Sequence, residues 1–299
     1  MNMPLDPEPL FRRLLNALPD EMHAHIYVVG SLAAAYHFRV ELQRQGVNTK
    51  DADLVVHPAG DTISCAAMAE RLLARGWQRH PDCYPAASPE PAAALRAIRL
   101  YPPDSTDYFV EFLNLPEVGQ QEIKKWIPVE VAGGWYGLPT FRFQGLSAHG
   151  RLRSEQGIEY ASPAMMTLPN LLSHPTIRPD RMSQPIGGRT ILRSAKDLGR
   201  VLAIAQLSAR EDVEAWFDPW LDGLKACFPT EWRALARSAG SGLRELLRRE
   251  DVLKEALHTC EVGLLRGRGV SLKNLAAVGA QILVDLIEPL EDAAEGRSL

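Results

Sequence analysis

The sequence predicts an α+β chain: a mixed sheet with flanking helices over residues 1–160, then an all-helical domain over residues 161–299. Three observations point there. In the first half, apolar runs of strand length alternate with stretches of helical periodicity, and after Ser162 the strand signals vanish. With 46% apolar and 23% charged residues, a chain of 299 residues can bury the core that two domains need.

The elements follow in order. Residues 9–18 read as an amphipathic helix, and 25–29 (His-Ile-Tyr-Val-Val) as a buried strand. Residues 31–45 read as a helix opened by Ser31 and stopped at Gly46. Residues 51–56 form a second strand and 62–75 a helix closed by Gly76. Residues 95–101 and 108–113 are expected to pair as a hairpin around Pro102-Pro103-Asp104, and further strands are expected at 127–131 and 140–143, with a turn at Gly133-Gly134. Helices are then expected at 163–172, 190–206, 209–228, 230–238, 241–264 and 272–290. Between the first two of these lies a long Pro-, Arg-, Gly- and Ser-rich loop over 173–188, of a length that usually carries function or mobility.

Composition narrows the function classes. The net charge is −4, yet residues 151–210 carry +5 between segments of −4 and −5. A basic waist of this kind suits a polyanion such as a nucleotide triphosphate or an RNA backbone, or else is a solvated face. No apolar stretch is long enough for a membrane span, since residues 274–287 are interrupted by Asp285. No secretory signal is readable, so a cytoplasmic location is the default expectation. Cys65, Cys83, Cys227 and Cys260 are scattered without metal or redox spacing and read as small buried hydrophobes. The eight histidines show no metal spacing, Ser147 and His149 make no recognisable triad, and Trp216 and Trp220 read as packing anchors four residues apart.

The chemistry concentrates in Val28-Val29-Gly30-Ser31-Leu32 and Lys50-Asp51-Ala52-Asp53-Leu54. A buried strand that ends in Gly-Ser at a helix start offers free backbone N–H groups and the positive end of the helix dipole, a cradle for phosphate. Asp51 and Asp53 stand two apart on a strand, so both carboxylates share one face and are placed to hold a divalent cation. Edge-strand acids that discourage strand pairing are the alternative. A third acid is expected for a two-metal site. Glu111, in the apolar run Tyr108-Phe109-Val110-Glu111-Phe112, is the first choice and Asp107 the second; compensation of Glu111 by a basic partner is the structural alternative. Arg189, Arg193, Lys196 and Arg200 recur at helical spacing as one basic stripe, Lys196 being otherwise an ordinary solvated lysine. Arg178, Arg181, Arg189, Arg193 and Lys196 are expected to face a triphosphate, an acceptor RNA, or both.

In the order of these motifs, with a strand before the Gly-Ser and a strand under the Asp-x-Asp, the sequence resembles the nucleotidyltransferase superfamily (polymerase-β-like fold). The resemblance is closest to its bacterial minimal and AbiEii-like members, the toxin nucleotidyltransferases of toxin–antitoxin systems. It implies that Gly30 and Ser31 contact the nucleotide phosphates and that Asp51, Asp53 and Glu111 hold Mg²⁺ and carry catalysis. It also implies that the later helical Lys-Asp pair, Lys196 and Asp197, with Arg193 nearby, binds the nucleotide. The implied activity is Mg²⁺-dependent transfer of an NMP from an NTP to an RNA (tRNA-like) or protein acceptor, with an antitoxin as a further partner. A small-molecule, aminoglycoside-like nucleotidyltransferase and a catalytically silent nucleotide-binding scaffold are the alternatives. The chain departs from the family pattern in the 19 residues between Ser31 and Asp51, in the small Ala52 and in a turn with one glycine.

Overall fold

A computed structural model describes residues 5–43, 46–174 and 180–297. The described residues divide into two compact units, Met1–Ser162 and Pro163–Leu299.

The first unit opens with helix α1 (Pro7–Ala17), capped by the Asp6 carboxylate on the Glu8 N–H, and the short α2 (Asp20–His23). Strand β1 (Ile26–Val29) is buried at every position, as a central strand of apolar residues should be. Helix α3 (Gly30–His37) leads to β2 (Asp51–Val56), and α4 (Thr62–Ala74), N-capped by Asp61, leads to β3 (Gln78–Arg79). Strands β4 (Arg99–Tyr101) and β5 (Phe109–Asn114) form the expected hairpin, with Arg99 opposite Glu111. Next come β6 (Lys124–Val131) and β7 (Gly134–Phe141), then β8 (Leu152–Arg153) and β9 (Glu159–Tyr160).

Seven strands make one mixed sheet in the order β3-β4-β5-β2-β1-β9-β8, and β6 pairs with β7 in a separate two-stranded ribbon. Parallel β2–β5 and β1–β9 pairs alternate with antiparallel neighbours. Strand alternation gives this sheet two unlike faces. Ile26, Val28, Ala52, Leu54, Val56, Leu100, Val110, Phe112 and Tyr160 fall on one face, and all are buried. On this side Phe11 of α1 stacks on Tyr36 of α3, whose ring meets Tyr160 edge-on. The other face is closed at one end, where Tyr27, Val55 and Leu113 are buried, and half-open at the end that carries Asp51, Asp53, Phe109 and Glu111.

Two expectations for this unit need correction. Helix α3 stops at His37 and turns follow through Gln43, because the chain has to come back so that Val47 can bridge Leu5 through paired backbone bonds of 2.8 and 2.9 Å. The expected helix end at residue 45 lies outside the described residues. Strand β7 begins at Gly134, not at Thr140, because the ribbon pairs continuously from its turn, Val131 with Gly134 through Lys124 with Phe141.

Among the described residues the second unit carries helices as its regular elements: α5 (Pro163–Leu172), α6 (Arg193–Leu207), α7 (Arg210–Glu214), α8 (Phe217–Cys227), α9 (Trp232–Ser238), α10 (Ser241–Arg248), α11 (Glu250–Val262), α12 (Leu272–Ile282) and α13 (Glu288–Glu295). A π turn over Leu283–Ile287 joins the last two. The helix expected over 209–228 is broken between Glu214 and Phe217, which puts Pro219 in the first turn of α8, where its missing N–H costs nothing. The helix expected over 241–264 is broken at the extended Arg249, with Arg248 ending one helix and Glu250 and Asp251 opening the next, in keeping with both helix dipoles. Trp220 is fully buried and donates to the Ala164 carbonyl at 2.9 Å, tying α8 to α5. Among the described residues no helix is long and apolar enough to cross a membrane.

Candidate active site

Gly30 sits where β1 turns into α3, with φ of +73°, a left-handed conformation that glycine adopts without steric cost. Space is tight there as well: a Cβ on Gly30 would come within 2.9 Å of Asp53 Oδ2, so the carboxylate would have to shift. The Asp53 carboxylate therefore packs directly against the strand-to-helix turn. The register explains why, since β1 and β2 are antiparallel with Val29 opposite Asp53. No side chain caps the start of α3, so its first-turn N–H groups have no side-chain partner at the N-cap position. Ser31 is the second residue of that helix and is half-buried.

Asp51 lies two residues before Asp53 on the same face and is exposed; its Oδ1 accepts the Thr49 hydroxyl at 2.6 Å. In the parallel β2–β5 pair Asp53 stands beside Glu111, and Asp51 beside Phe109. Gly30, Asp51, Asp53 and Glu111 are thus gathered at the half-open end of one sheet face. Asp107, the second choice for a third acid, lies in the loop before β5 and accepts from the Ser105 hydroxyl.

Glu111 has a basic partner that sequence reading did not name. Arg99 Nε donates to Glu111 Oε2 at 2.6 Å, and the glutamate side chain is only 13% exposed. Burial works to lower the Arg99 pKa, but the hydrogen bond and charge of Glu111, with Cys83 and Asp51 farther off, hold it above the ordinary arginine value. The hairpin turn at Pro102-Pro103-Asp104 was the available signal, because its register sets Arg99 opposite Glu111.

Around this pair lies a group of rings that the sequence reading also missed. The Arg99 guanidinium is 5.2 Å from the Phe109 ring centre. Tyr101 meets Phe109 edge-on at 6.0 Å, and His80 stacks on Tyr101 at 5.0 Å and meets Phe109 edge-on at 5.1 Å.

The donor set fits one magnesium ion better than a full protein cage. Asp51 and Asp53 offer hard carboxylate oxygens beside the Gly30 turn, and Mg²⁺ typically takes one or two carboxylates and fills its shell with water and substrate phosphates. Among the described residues no three His, Cys, Asp or Glu side chains stand together as a metal cluster, and Glu111 is held by Arg99.

The remaining sequence candidates belong to the second unit. Lys196 and Asp197 are the fourth and fifth residues of α6, with Lys196 Nζ 3.8 Å from Asp197 Oδ1. Asp197 Oδ2 is 2.8 Å from Nε2 of the buried His174. Burial alone would raise Asp197, but the His174 hydrogen bond and the nearby Lys196 and Arg200 charges prevail and hold its carboxyl below the usual range. Arg193 opens α6 and donates to Asp180 at 3.2 Å, and Arg181 donates to Glu255 at 3.3 Å and to the Thr190 carbonyl at 2.8 Å. Arg189 lies before α6 in a turn closed by reciprocal bonds with Ile186, so the basic stripe begins at Arg193. Arg178 lies outside the described residues. All four cysteines are free, and burial pushes the Cys260 thiol up to about 12 and that of Cys227 to about 11.

No protein-family model matches the chain, and neither does any curated protein. Among solved structures the chain is similar, at 11% identity, to a STING-associated CdnE c-di-GMP synthase from Capnocytophaga granulosa. The match covers 97% of this chain and 83% of that one with a TM-score of 0.23, too low to bear on fold or function.

Proposed function

We propose that the chain is a nucleotidyltransferase that moves an NMP from an NTP to an acceptor hydroxyl, with RNA as the acceptor the sequence resemblance favours. The observation that carries this reading is the packing of the Asp53 carboxylate against the left-handed Gly30 at the start of α3, with Asp51 on the same face. A phosphate cradle and a pair of hard anions then meet at one point. The first-turn N–H groups of α3 hold the β- and γ-phosphates and the departing pyrophosphate. Asp51 and Asp53 hold Mg²⁺, which supplies charge neutralisation and alignment of the phosphates. Glu111 serves the acceptor side, either completing a second cation position or taking the acceptor's proton, through the oxygen that Arg99 Nε does not engage.

The test is incubation of the full chain with Mg²⁺, bulk RNA and each α-labelled NTP in turn. Label should become acid-insoluble with at least one nucleotide, and Asp51→Ala should lower incorporation by about a hundredfold or more, the scale of losing a main electrostatic group, with an unchanged melting temperature. Equal incorporation by the variant overturns the proposal.

A further inference from the structure

Resting on the nucleotidyltransferase reading, we infer that the ring group of His80, Tyr101 and Phe109 is the acceptor subsite, and that it takes a planar nucleobase. The sheet order carries the argument. Outward from the phosphate cradle on β1 come the two aspartates on β2, then Glu111 and Phe109 on β5, then Arg99 and Tyr101 on β4, then His80 just after β3. Neighbouring strands lie about 4.8 Å apart, so the rings begin one strand from Asp51 and run away from the cradle.

In-line phosphoryl transfer sets the leaving and attacking oxygens on opposite sides of the reacting phosphorus. With pyrophosphate held at Gly30 and Ser31, the attacking hydroxyl arrives from the side of β5 and β4. The part of the acceptor next to that hydroxyl then lies over the rings. All three are half-buried, and the His80 side chain is 16% exposed. Their mutual contacts at 5.0, 5.1 and 6.0 Å hold them as one rigid group, with the Arg99 cation beside Phe109. Such a surface stacks a flat ring and offers little to a flexible polyol, which needs an array of hydrogen-bonding groups. The acceptor class is therefore a nucleotide or the end of a single-stranded RNA, and not an aminoglycoside.

Two binding measurements on the full chain test this. The first follows a fluorescent single-stranded RNA of about eight nucleotides, a usual site size, with AMP and kanamycin as competitors; the second is calorimetry with Mg²⁺ and ATP. Tyr101→Leu and Phe109→Leu should each weaken RNA binding by roughly tenfold or more, the worth of one base–ring stack. Tyr101→Phe should restore it, and Mg–ATP binding should stay as in the wild type. His80→Gln removes a ring outside the strands and gives the same reading should a leucine variant unfold. Competition by AMP but not by kanamycin supports the inference, and competition by kanamycin overturns it. RNA binding unchanged in the ring variants, with Mg–ATP still bound, overturns the subsite alone. Loss of Mg–ATP affinity in step with RNA affinity assigns the rings to the nucleotide's own base and also overturns it. A wild type that binds no Mg–ATP overturns the nucleotidyltransferase reading beneath it.

Discussion

Gly30 carries two constraints at once, a left-handed backbone and the close approach of Asp53 Oδ2. Gly30→Ala should cost about 1–2 kcal/mol, the usual cost of a left-handed conformation for an L-residue, read from urea unfolding. Part of any excess over that belongs to the carboxylate, so combining it with Asp53→Ala should cost less than the sum of the two single changes. The sequence announced Gly30, Asp51 and Asp53 because their signals are local: a glycine after an apolar strand and two acids in alternation. It left two readings of Glu111 open, ligand or ion-paired acid, and the structure supplies the ion pair. The partner, Arg99, sits on the neighbouring strand, and only the hairpin register brings it opposite. His80, Tyr101 and Phe109 escaped notice for the same reason, since they come from three segments and become neighbours only across the sheet.

At the scale of elements, strand and helix boundaries were legible where turn chemistry was strong. Residues 51–56 and 163–172 fold as read, and α4 ends one residue short of the expected boundary. Tertiary pairing overrode propensity at the end of α3, and two long helical periodicities were divided, one ahead of Pro219 and the other at the extended Arg249. The start of α6 illustrates how elements are joined by a buried polar contact. Its Asp197 is held by His174, which lies beyond the end of α5, and its carboxyl pKa is lowered in the folded chain. A depressed carboxylate pKa contributes stability that is present above the unfolded value near 3.9 and is lost as the pH falls through the folded value. Asp197→Asn should therefore be less stable than the wild type at neutral pH, and the gap should close in acid as the wild-type carboxylate protonates. Urea midpoints at neutral pH and in acid measure this directly; a gap that stays constant would separate the Asp197 carboxylate's charge from stability.

For the whole molecule, summed charge proved a blunter guide than position. The basic waist of residues 151–210 invited a polyanion, yet its Arg181 reaches Glu255, outside that segment and 74 residues away along the chain. A segment sum cannot register so distant a partner. The division into an α+β unit and a helical unit was readable because it rests on hydrophobic period, which survives any detail of packing. The candidate site belongs to the first unit, and its central claim is that the aspartate pair and the Gly30 turn grip one magnesium–nucleotide complex together. Thermal unfolding with and without Mg–ATP tests it most directly, because a ligand bound only by the folded chain raises the midpoint in proportion to its affinity. The wild-type midpoint should rise with Mg–ATP, while Asp51→Ala/Asp53→Ala should unfold near the wild-type temperature without ligand and gain nothing from it. An equal rise in the double variant, or none in the wild type, would contradict the claim.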